Sequence, residues 1–283
     1  MERYGFAPDH PNEVVIRSKL IPQPVREIHI WRYWDGMRRK IMPGLKGQNL
    51  FVVLKLDGQL LYRRRPTAGA KGFIRMDTPA QYDKWMTGRT VEAHVTMGPA
   101  ETRETHAVVD IDPGPQAEKD WAGIKKATLE VARFLKAQKD LRNFQAYFTG
   151  SRGFHLHADL RGKARGINDV RKDFEARLRK HFEGHGRIVV AERTARGNTI
   201  NVDLSPLKPN GGHIAAYSLR ATGLCAVPVA FAAFGQFRRE DARMDRVFQK
   251  ALGRAFDWSA AKKKASASAV AERFLVEAGC VIL

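Results

Sequence analysis

Residues 106–115 read HAVVDIDPGP, and this stretch decides the fold assignment. Successive side chains of a β-strand point to opposite faces, so Asp110 and Asp112 would share one face while the apolar residues between them face the other way. The closing proline–glycine–proline run would end the strand because proline cannot donate to the hydrogen-bond ladder. We therefore expect a half-buried strand that carries two carboxylates side by side.

Two carboxylates this close repel each other unless a cation lies between them, and hard divalent ions such as Mg²⁺ or Mn²⁺ prefer oxygen ligands. A third acid, Asp203, occurs in the apolar stretch INVDL at residues 200–204. Three carboxylates on adjacent strands would suit two-metal phosphoryl transfer. Taken alone, the first two acids are equally well explained as solvated residues at a strand end, and Asp203 is better explained as a surface acid.

A second candidate is residues 149–155, TGSRGFH. Two glycines would let backbone N–H groups approach an anion, and Arg152 and His155 would add charge-assisted donors for a triphosphate. The GK[ST] ending of a P-loop is absent, and a simple hairpin turn explains the segment better when it is taken alone. His157 shares the face of His155, but no cysteine or third histidine at ligand spacing indicates zinc.

The remaining pattern alternates helices with strands. Apolar residues at helical spacing predict helices over residues 24–42, 118–139 and 170–182. Extended patterns predict strands at residues 49–56, 59–62, 106–112, 145–160, 187–191, 199–204 and 213–219, and around His94. The Asp57-Gly58 pair between the first two strands indicates a hairpin. Strands interspersed with helices and partly paired in hairpins predict an α+β fold.

The composition points to an anionic partner. The chain has 283 residues, of which 43% are hydrophobic, enough for one large domain or two small ones. Its 49 Lys and Arg against 30 Asp and Glu give a net charge of +19. Such a charge favours binding to nucleic acid, and the basic clusters at residues 38–40 and 63–65 are the clearest candidates.

The cysteine content and the apolar runs indicate the compartment. Cys225 and Cys280 are too few and too far apart for a disulfide framework, which fits a reducing environment. The first residues show no apolar signal-peptide core, and no apolar run is long enough to span a bilayer. We expect a cytoplasmic, nucleoid-associated protein without a membrane partner, and we exclude secretory, membrane, collagen-like and wholly disordered classes.

Four segments in this order resemble a known family: DIDPGP at 110–115, TGSRGFH at 149–155, NVD at 201–203 and YSLR at 217–220. They are similar to motifs I, II and III of the archaeo-eukaryotic primase superfamily, and most similar to the polymerase domain of bacterial ligase D, an end-joining repair enzyme. The stretch at 41–79 fits the same family, and the similarity runs from about residue 11 to residue 229.

The resemblance implies an architecture: an α+β primase fold with an RRM-like catalytic sheet and an accessory N-terminal α/β part. We expect a single catalytic domain over residues 1–283, with a core at about 11–240 and a C-terminal helical tail at 241–283. The length leaves no room for a ligase or nuclease domain, so a stand-alone polymerase or a subunit is expected.

The resemblance also implies site residues. The metal-binding and catalytic residues would be Asp110, Asp112 and Asp203. The nucleotide-binding residues would be Phe73, which stacks on the base, and His94, Thr149, Ser151, Arg152, Gly153, His155, Ser218 and Arg220. The DNA-binding residues would be Arg17, Lys19, Arg63, Arg64 and Arg65. Four residues depart from the family. Ile74 and Met76 replace an aromatic residue and a lysine. Asn12-Glu13 replaces an Asp-Lys pair that binds a 5′-phosphate, for which Arg17 or Lys19 could substitute.

The implied activity is template-dependent addition of nucleotides to a primer 3′-hydroxyl with two Mg²⁺ or Mn²⁺ ions, in end-joining or gap-filling DNA repair. The implied partners are primer–template DNA with gaps or broken ends, nucleoside triphosphates, Ku and a separate DNA ligase. The alternatives are an enzyme like the small subunit of a replicative primase, or a catalytically silent nucleic-acid-binding module.

Overall fold

The computed structural model describes residues 14–56, 59–67, 70–190 and 197–259. Within these ranges the helices are α1 (Glu27–Leu45), α2 (Pro79–Trp85), α3 (Trp121–Lys136), α4 (Ile167–His181) and α5 (Met244–Leu252). The strands are β1 (Val15–Ile16), β2 (Val25–Arg26), β3 (Asn49–Leu56), β4 (Gln59–Arg63), β5 (Thr90–Thr96), β6 (Arg103–Glu104), β7 (His106–Pro113), β8 (Leu141–Phe148), β9 (Phe154–Leu160), β10 (Arg165–Gly166), β11 (Ile188–Val190), β12 (Ile200–Asp203), β13 (Gly212–Ile214) and β14 (Val227–Val229).

The chain divides into two compact units. The first unit contains the described residues up to Val95, the segment Ile214–Cys225 and the described residues from Arg239 onward. The second unit contains Thr96–His213 and Ala226–Arg238, apart from residues 191–196.

The first unit is built on α1 and on three strands that pair in the order β5-β3-β4. The apolar stripe of α1 is fully buried, and its Trp34 indole donates a hydrogen bond of 2.6 Å to the Thr90 carbonyl at the start of β5. α5 packs against α1 so closely that a Cβ added at Gly36 would lie 2.4 Å from the Phe248 ring. The helix pair and the sheet therefore share one apolar core.

The second unit is built on a six-stranded sheet with the order β11-β12-β7-β9-β8-β14. Neighbouring strands are antiparallel except for the parallel pair β11 and β12. α3 covers the apolar face of this sheet, where the Trp121 ring packs against Phe148 and Phe154 at centroid distances of 5.7 and 5.3 Å. Phe154 alternates with His155 along β9, so the opposite face of the sheet carries the polar side chains.

The α+β fold class and most predicted elements are confirmed. The predicted helices correspond to α1, α3 and α4, and the predicted hairpin corresponds to the antiparallel pair β3 and β4. The hairpin turn at residues 57 and 58 lies outside the described residues, as do Cys280 and residues 260–283 of the expected C-terminal tail. In the described part of that segment, α5 spans Met244–Leu252.

The strand predicted at residues 213–219 is wrong beyond Ile214. Tyr217 has a left-handed backbone with φ of 61°, and the Ser218 N–H donates to the Ala215 carbonyl at 3.0 Å. The segment is apolar because this turn is buried. A buried turn and a buried strand can have the same apolar composition, so the pattern did not distinguish them. None of the helices in the described ranges has both the length and the apolar character needed to cross a membrane.

Candidate active site

The polar face of the second unit's sheet carries one row of functional side chains. In the strand register, Asp203 on β12 lies opposite Asp110 on β7, which lies opposite His155 on β9. Asp112 lies two residues further along β7 and therefore on the same face, opposite Asn201. The three predicted metal-binding acids are thus together on one face of two adjacent strands.

Each acid in this row has a protein partner. The Asp110 carboxylate lies 3.4 Å from Nε2 of His155, and the Asp112 carboxylate lies 3.6 Å from Nε of Arg152. Asp203 accepts hydrogen bonds from the backbone N–H and the hydroxyl of Ser205, at 2.7 and 2.8 Å. These contacts compensate for part of the mutual repulsion of three neighbouring negative charges.

The donor set fits a hard divalent cation. Directly opposite residues of an antiparallel pair have Cβ atoms about 4.5–5.5 Å apart, which places the carboxylates of Asp110 and Asp203 within reach of a shared ion. Across the described ranges, no group of three or more histidine, cysteine or acidic side chains already converges in a metal-binding arrangement. The carboxylates instead lie toward the protein donors named above.

The segment between β8 and β9 forms a tight turn beside these acids. The Thr149 backbone N–H and hydroxyl both donate to the Gly153 carbonyl, at 3.1 and 3.2 Å, and Gly150 has a φ of 76°. A Cβ at Gly153 would lie 2.1 Å from the Ile111 carbonyl, so only glycine allows β7 to pass this closely. Ser151 and Arg152 are half-buried at the tip of the turn, next to Asp112.

Four histidines lie close to one another, a grouping that the sequence analysis missed: His106, His155 and His157 share this face, and His213 lies on β13. The ring centroids of His157 and His213 are 5.0 Å apart, and those of His155 and His213 are 6.2 Å apart. His106 Nε2 lies 3.0 Å from Nδ1 of His157. Burial, followed by the charges of the neighbouring histidines, lowers the pKa of His157 well below its usual range. His157 is therefore a neutral imidazole at neutral pH.

A second cluster of predicted residues lies in the first unit and is organised by an acid that the sequence analysis did not single out. Glu92 Oε2 lies 2.9 Å from His94 Nε2 and 3.1 Å from Arg220 Nη1. The Ala221 N–H donates to the other carboxylate oxygen at 3.4 Å, and the Phe51 ring stacks on His94 at 4.2 Å. Glu92 is buried, with 6% of its surface exposed. One buried carboxylate thus holds both predicted nucleotide-binding groups.

The charges of this cluster are fixed by its packing. Burial alone would raise the pKa of Glu92, but the His94 hydrogen bond and the positive charge of Arg220 lower it overall, so the carboxylate is ionised at neutral pH. Burial also lowers the pKa of His94, more than its bond to Glu92 raises it. The cluster at neutral pH is therefore a carboxylate, a guanidinium and a neutral imidazole.

The other predicted nucleotide-binding residues of the first unit are placed differently. Ser218 is fully buried, and its hydroxyl accepts from the Ala93 N–H and donates to the Leu219 carbonyl, at 2.8 and 3.0 Å. It has no surface to offer a nucleotide and supports the backbone instead. Phe73 is half-buried, while Ile74 and Met76 are fully buried in the core. Of these three positions, only Phe73 could stack on the base of an incoming nucleotide.

The predicted DNA-binding residues also lie in the first unit. Arg17, Lys19, Arg64 and Arg65 are exposed, and Arg63 at the end of β4 is half-buried. The Arg64 guanidinium lies over the Phe51 ring at 5.2 Å, and Arg65 donates to the Ala70 carbonyl at 3.0 Å. The Asn12-Glu13 pair lies outside the described residues.

A sequence signal for Glu92 existed. Glu92 alternates with His94 on a strand, so both point to the same face. The clustering of His106 and His213 with His157 could not be read from the sequence. Both residues are at least 51 positions from His157, and the neighbours of their strands are unknown until the sheet order is known.

Comparisons with known proteins show the family of this chain. The family model described as "LigD, primase-polymerase domain" matches residues 63–257. A solved structure, the polymerase domain from Mycobacterium tuberculosis ligase D in complex with DNA, superposes with a TM-score of 0.63 at 18% identity, over 80% of this chain and 88% of that one. No curated protein sequence gives a significant match. Because the family model covers more than half of the chain, this protein belongs to the LigD primase-polymerase domain family.

Proposed function

We propose that this protein is a template-dependent nucleotidyltransferase that adds nucleotides to the 3′-hydroxyl of a primer strand. The observation that supports this most is the register that places Asp203 opposite Asp110, with Asp112 on the same face. A silent relative would have no need for three mutually repelling carboxylates in one row, because each costs stability without a cation. In this proposal the six-stranded sheet is the RRM-like catalytic sheet of the family.

The three acids would hold two divalent ions, Mg²⁺ or Mn²⁺. When bound, these ions supply Lewis-acid activation of the primer hydroxyl and neutralise charge on the phosphates. In the reaction, the 3′-oxygen forms a bond to the α-phosphorus of a nucleoside triphosphate, and the bond to the bridging oxygen breaks to release pyrophosphate. Arg152, beside Asp112, would be a charge-assisted donor to the phosphates.

In this proposal Arg220 binds the triphosphate, as the resemblance implies. Glu92 holds one side of its guanidinium, which fixes its direction while other N–H groups stay available for phosphate oxygens. His94, neutral and flanked by Glu92 and Phe51, would contact the sugar and phosphates as a hydrogen-bonding group rather than as a cation.

The biological role that we propose is gap filling or end joining in DNA repair, with Ku and a separate DNA ligase as partners. Its support is the family match, since LigD-type domains belong to end joining. The alternative role is priming by an enzyme like a replicative primase small subunit. The two roles differ in the substrate they need, because priming starts a chain without a primer and gap filling does not.

The test is incorporation of labelled ribo- and deoxyribonucleotides, with Mg²⁺ and with Mn²⁺, on three substrates: gapped duplex, primer–template and unprimed single strand. We expect extension of the first two and little product on the third. Products that start on the unprimed strand at a comparable rate would favour the priming role. Absence of incorporation under all combinations would leave only a nucleic-acid-binding module.

A further inference from the structure

The edge strand β4 exposes consecutive apolar side chains. Four large apolar side chains are exposed within the described residues, and three of them are Leu60, Leu61 and Tyr62, at 42%, 37% and 63%. β4 is the last strand in the sheet order, so one of its edges pairs with β3 and its other edge pairs with no strand of this sheet. Proteins usually protect such an edge with charges, proline or a covering element. An exposed Tyr beside two exposed Leu therefore requires an explanation.

The two faces of β4 differ in chemistry. Side chains alternate along a strand, so Leu60 and Tyr62 share one face while Leu61 shares the other with Arg63. The register places Tyr62 opposite Val53 and Leu60 opposite Lys55 of β3. The face of Leu60 and Tyr62 thus carries an exposed aromatic ring and lies beside Lys55, whose Nζ donates to the Val15 carbonyl at 2.9 Å.

The segment that begins with β4 is basic, and within it Arg75 is paired with Asp77 at 3.2 Å. Residues 59–76 contain five basic residues, at positions 63, 64, 65, 71 and 75, and no acidic residue. Arg64, Arg65 and Lys71 are exposed. Arg64 contacts Phe51 through its guanidinium face and Arg65 uses one N–H for the Ala70 carbonyl, so further N–H groups of both side chains stay available. This surface is suited to a polyanion.

We propose that the face of Leu60 and Tyr62 on β4 is a binding platform for single-stranded nucleic acid, with an unpaired base stacked on Tyr62 and the adjacent phosphates bound by Arg64 and Arg65. Stacking rings beside cationic side chains are the means by which proteins bind single strands without reading sequence. Leu60 and Tyr62 precede the segment that the family model matches, which begins at residue 63.

The charge argues for nucleic acid over a protein strand. A strand added to the edge of β4 would gain backbone hydrogen bonds, but it would bring its side chains close to a run of arginines. A single nucleic-acid strand supplies both partners, because its phosphates pair with the arginines and its bases stack on the aromatic ring. This proposal rests on the proposed template-dependent activity and names the surface that would bind the unpaired template strand.

The experiment measures fluorescence anisotropy of a labelled oligothymidylate of about twelve nucleotides, without nucleoside triphosphate or divalent ion. The variants are Tyr62→Ala, Tyr62→Phe and, as a control on the opposite face, Leu61→Ala. Val189→Ala is a second control, because Val189 is 40% exposed on an edge strand of the other unit. Each variant is also measured with a blunt duplex of the same length.

We expect Tyr62→Ala to weaken single-strand binding about five- to a hundredfold, because one stacked base is lost. Tyr62→Phe keeps the ring and should stay close to wild type, as should both controls, and duplex binding should change much less. Unchanged single-strand binding by Tyr62→Ala, or equal losses on duplex, would overturn the proposal. Concentration-dependent self-association that Tyr62→Ala abolishes, with no change in DNA binding, would also overturn it and assign the strand to a protein contact.

This measurement is separate from the test of the polymerase activity. Single-strand binding that does not depend on Tyr62, in a protein that extends primers normally, would overturn the platform and leave the proposed function intact. Tyr62-dependent binding in a protein that extends no primer would do the reverse.

Discussion

At the scale of single residues, Glu92 shows how burial and charge together prepare a binding group. Its carboxylate is almost fully buried, and such a charge is tolerated only with close partners. Arg220 and the His94 imidazole supply them at 3.1 and 2.9 Å. Arg220 therefore does not need to order itself when an anion arrives, which lowers the entropic cost of binding.

Arg220→Ala should therefore weaken the apparent affinity for nucleoside triphosphate about ten- to a hundredfold, because losing a hydrogen bond to a charged group costs about 1.5–3 kcal/mol. The affinity for DNA should change little. The measurement is primer extension against nucleotide concentration, together with DNA-binding anisotropy. Arg246→Ala is the control, since Arg246 is an exposed arginine of α5 paired with Asp241. Equal losses of nucleotide and DNA affinity would show that Arg220 holds DNA instead.

Cys225 predicts how stability depends on pH in alkaline solution. Burial raises the pKa of its thiol to about 12, so the folded protein keeps a proton that the unfolded chain loses above about pH 9. Below that pH the thiol is neutral in both states and contributes no pH dependence. Above it, the free energy of unfolding should fall by about 1.4 kcal/mol per pH unit from this group.

The check is urea unfolding of wild type and of Cys225→Ala at pH 8 and at pH 10. All other titrating groups are common to both proteins, so the difference between their pH slopes isolates the thiol. We expect a shallower slope in the variant. Identical slopes would show that the thiol titrates alike in the folded and unfolded chains.

At the scale of secondary-structure elements, periodicity predicted the elements but not their neighbours. The spacing of Val170, Phe174 and Leu178 identified α4, and alternation identified β7 with its acids on one face. The order β12-β7-β9 could not be read from the chain, because strand pairing joins residues far apart in sequence. The candidate acids could therefore be identified from the sequence motif, whereas only the fold shows that Asp203 and Asp110 lie opposite each other on adjacent strands.

The same limit explains what was missed. The turn at residues 215–219 is apolar because it is buried, and its left-handed Tyr217 gives no compositional signal. Ser218 belongs to a motif of the resemblance, yet its hydroxyl is used inside the protein. Glu92 carried only the weak signal of alternation with His94.

The turn between β8 and β9 predicts a strict glycine requirement. In Gly153→Ala the new Cβ would lie 2.1 Å from the Ile111 carbonyl, so β7 or the turn must move. Overpacking of this kind typically costs about 1–3 kcal/mol. Because Ile111 lies between Asp110 and Asp112, we also expect loss of nucleotide incorporation.

The measurements are the thermal midpoint and primer extension of Gly153→Ala. Gly72→Ala is the control, since a Cβ there meets no atom within 4 Å and the backbone is not left-handed. A thermal midpoint and an extension rate of Gly153→Ala that match those of Gly72→Ala would mean that the close approach has no consequence.

At the scale of the whole molecule, the net charge of +19 predicts binding to DNA through phosphates with little regard for sequence. Log affinity should fall linearly with log salt, with a slope of about −0.9 per phosphate neutralised on duplex. For about four to six phosphates, raising salt from about 50 to 200 mM should cost on the order of 10² to 10³ in affinity.

A salt titration by fluorescence anisotropy tests this, with the variant in which Arg63, Arg64 and Arg65 are all Ala. The slope of the variant should be shallower than that of wild type if the cluster contacts phosphates. The comparison variant changes Arg171, Lys172 and Lys180 of α4 to Ala. If the two variants show the same slope, the charge is spread evenly and the cluster has no special role.

The central claim is that the row of acids on β7 and β12 is the catalytic centre. The most direct measurement is incorporation of labelled nucleotide on a primed template, with Mg²⁺ and with Mn²⁺, by wild type, Asp110→Ala and Asp203→Ala. Asp169→Ala, which removes an exposed acid of α4, is the matched control. We predict that wild type and the control extend the primer and that Asp110→Ala and Asp203→Ala do not. In metal-free buffer, the thermal midpoints of these two variants should equal or exceed that of wild type. Extension by either of these variants at a rate near that of wild type would contradict the account.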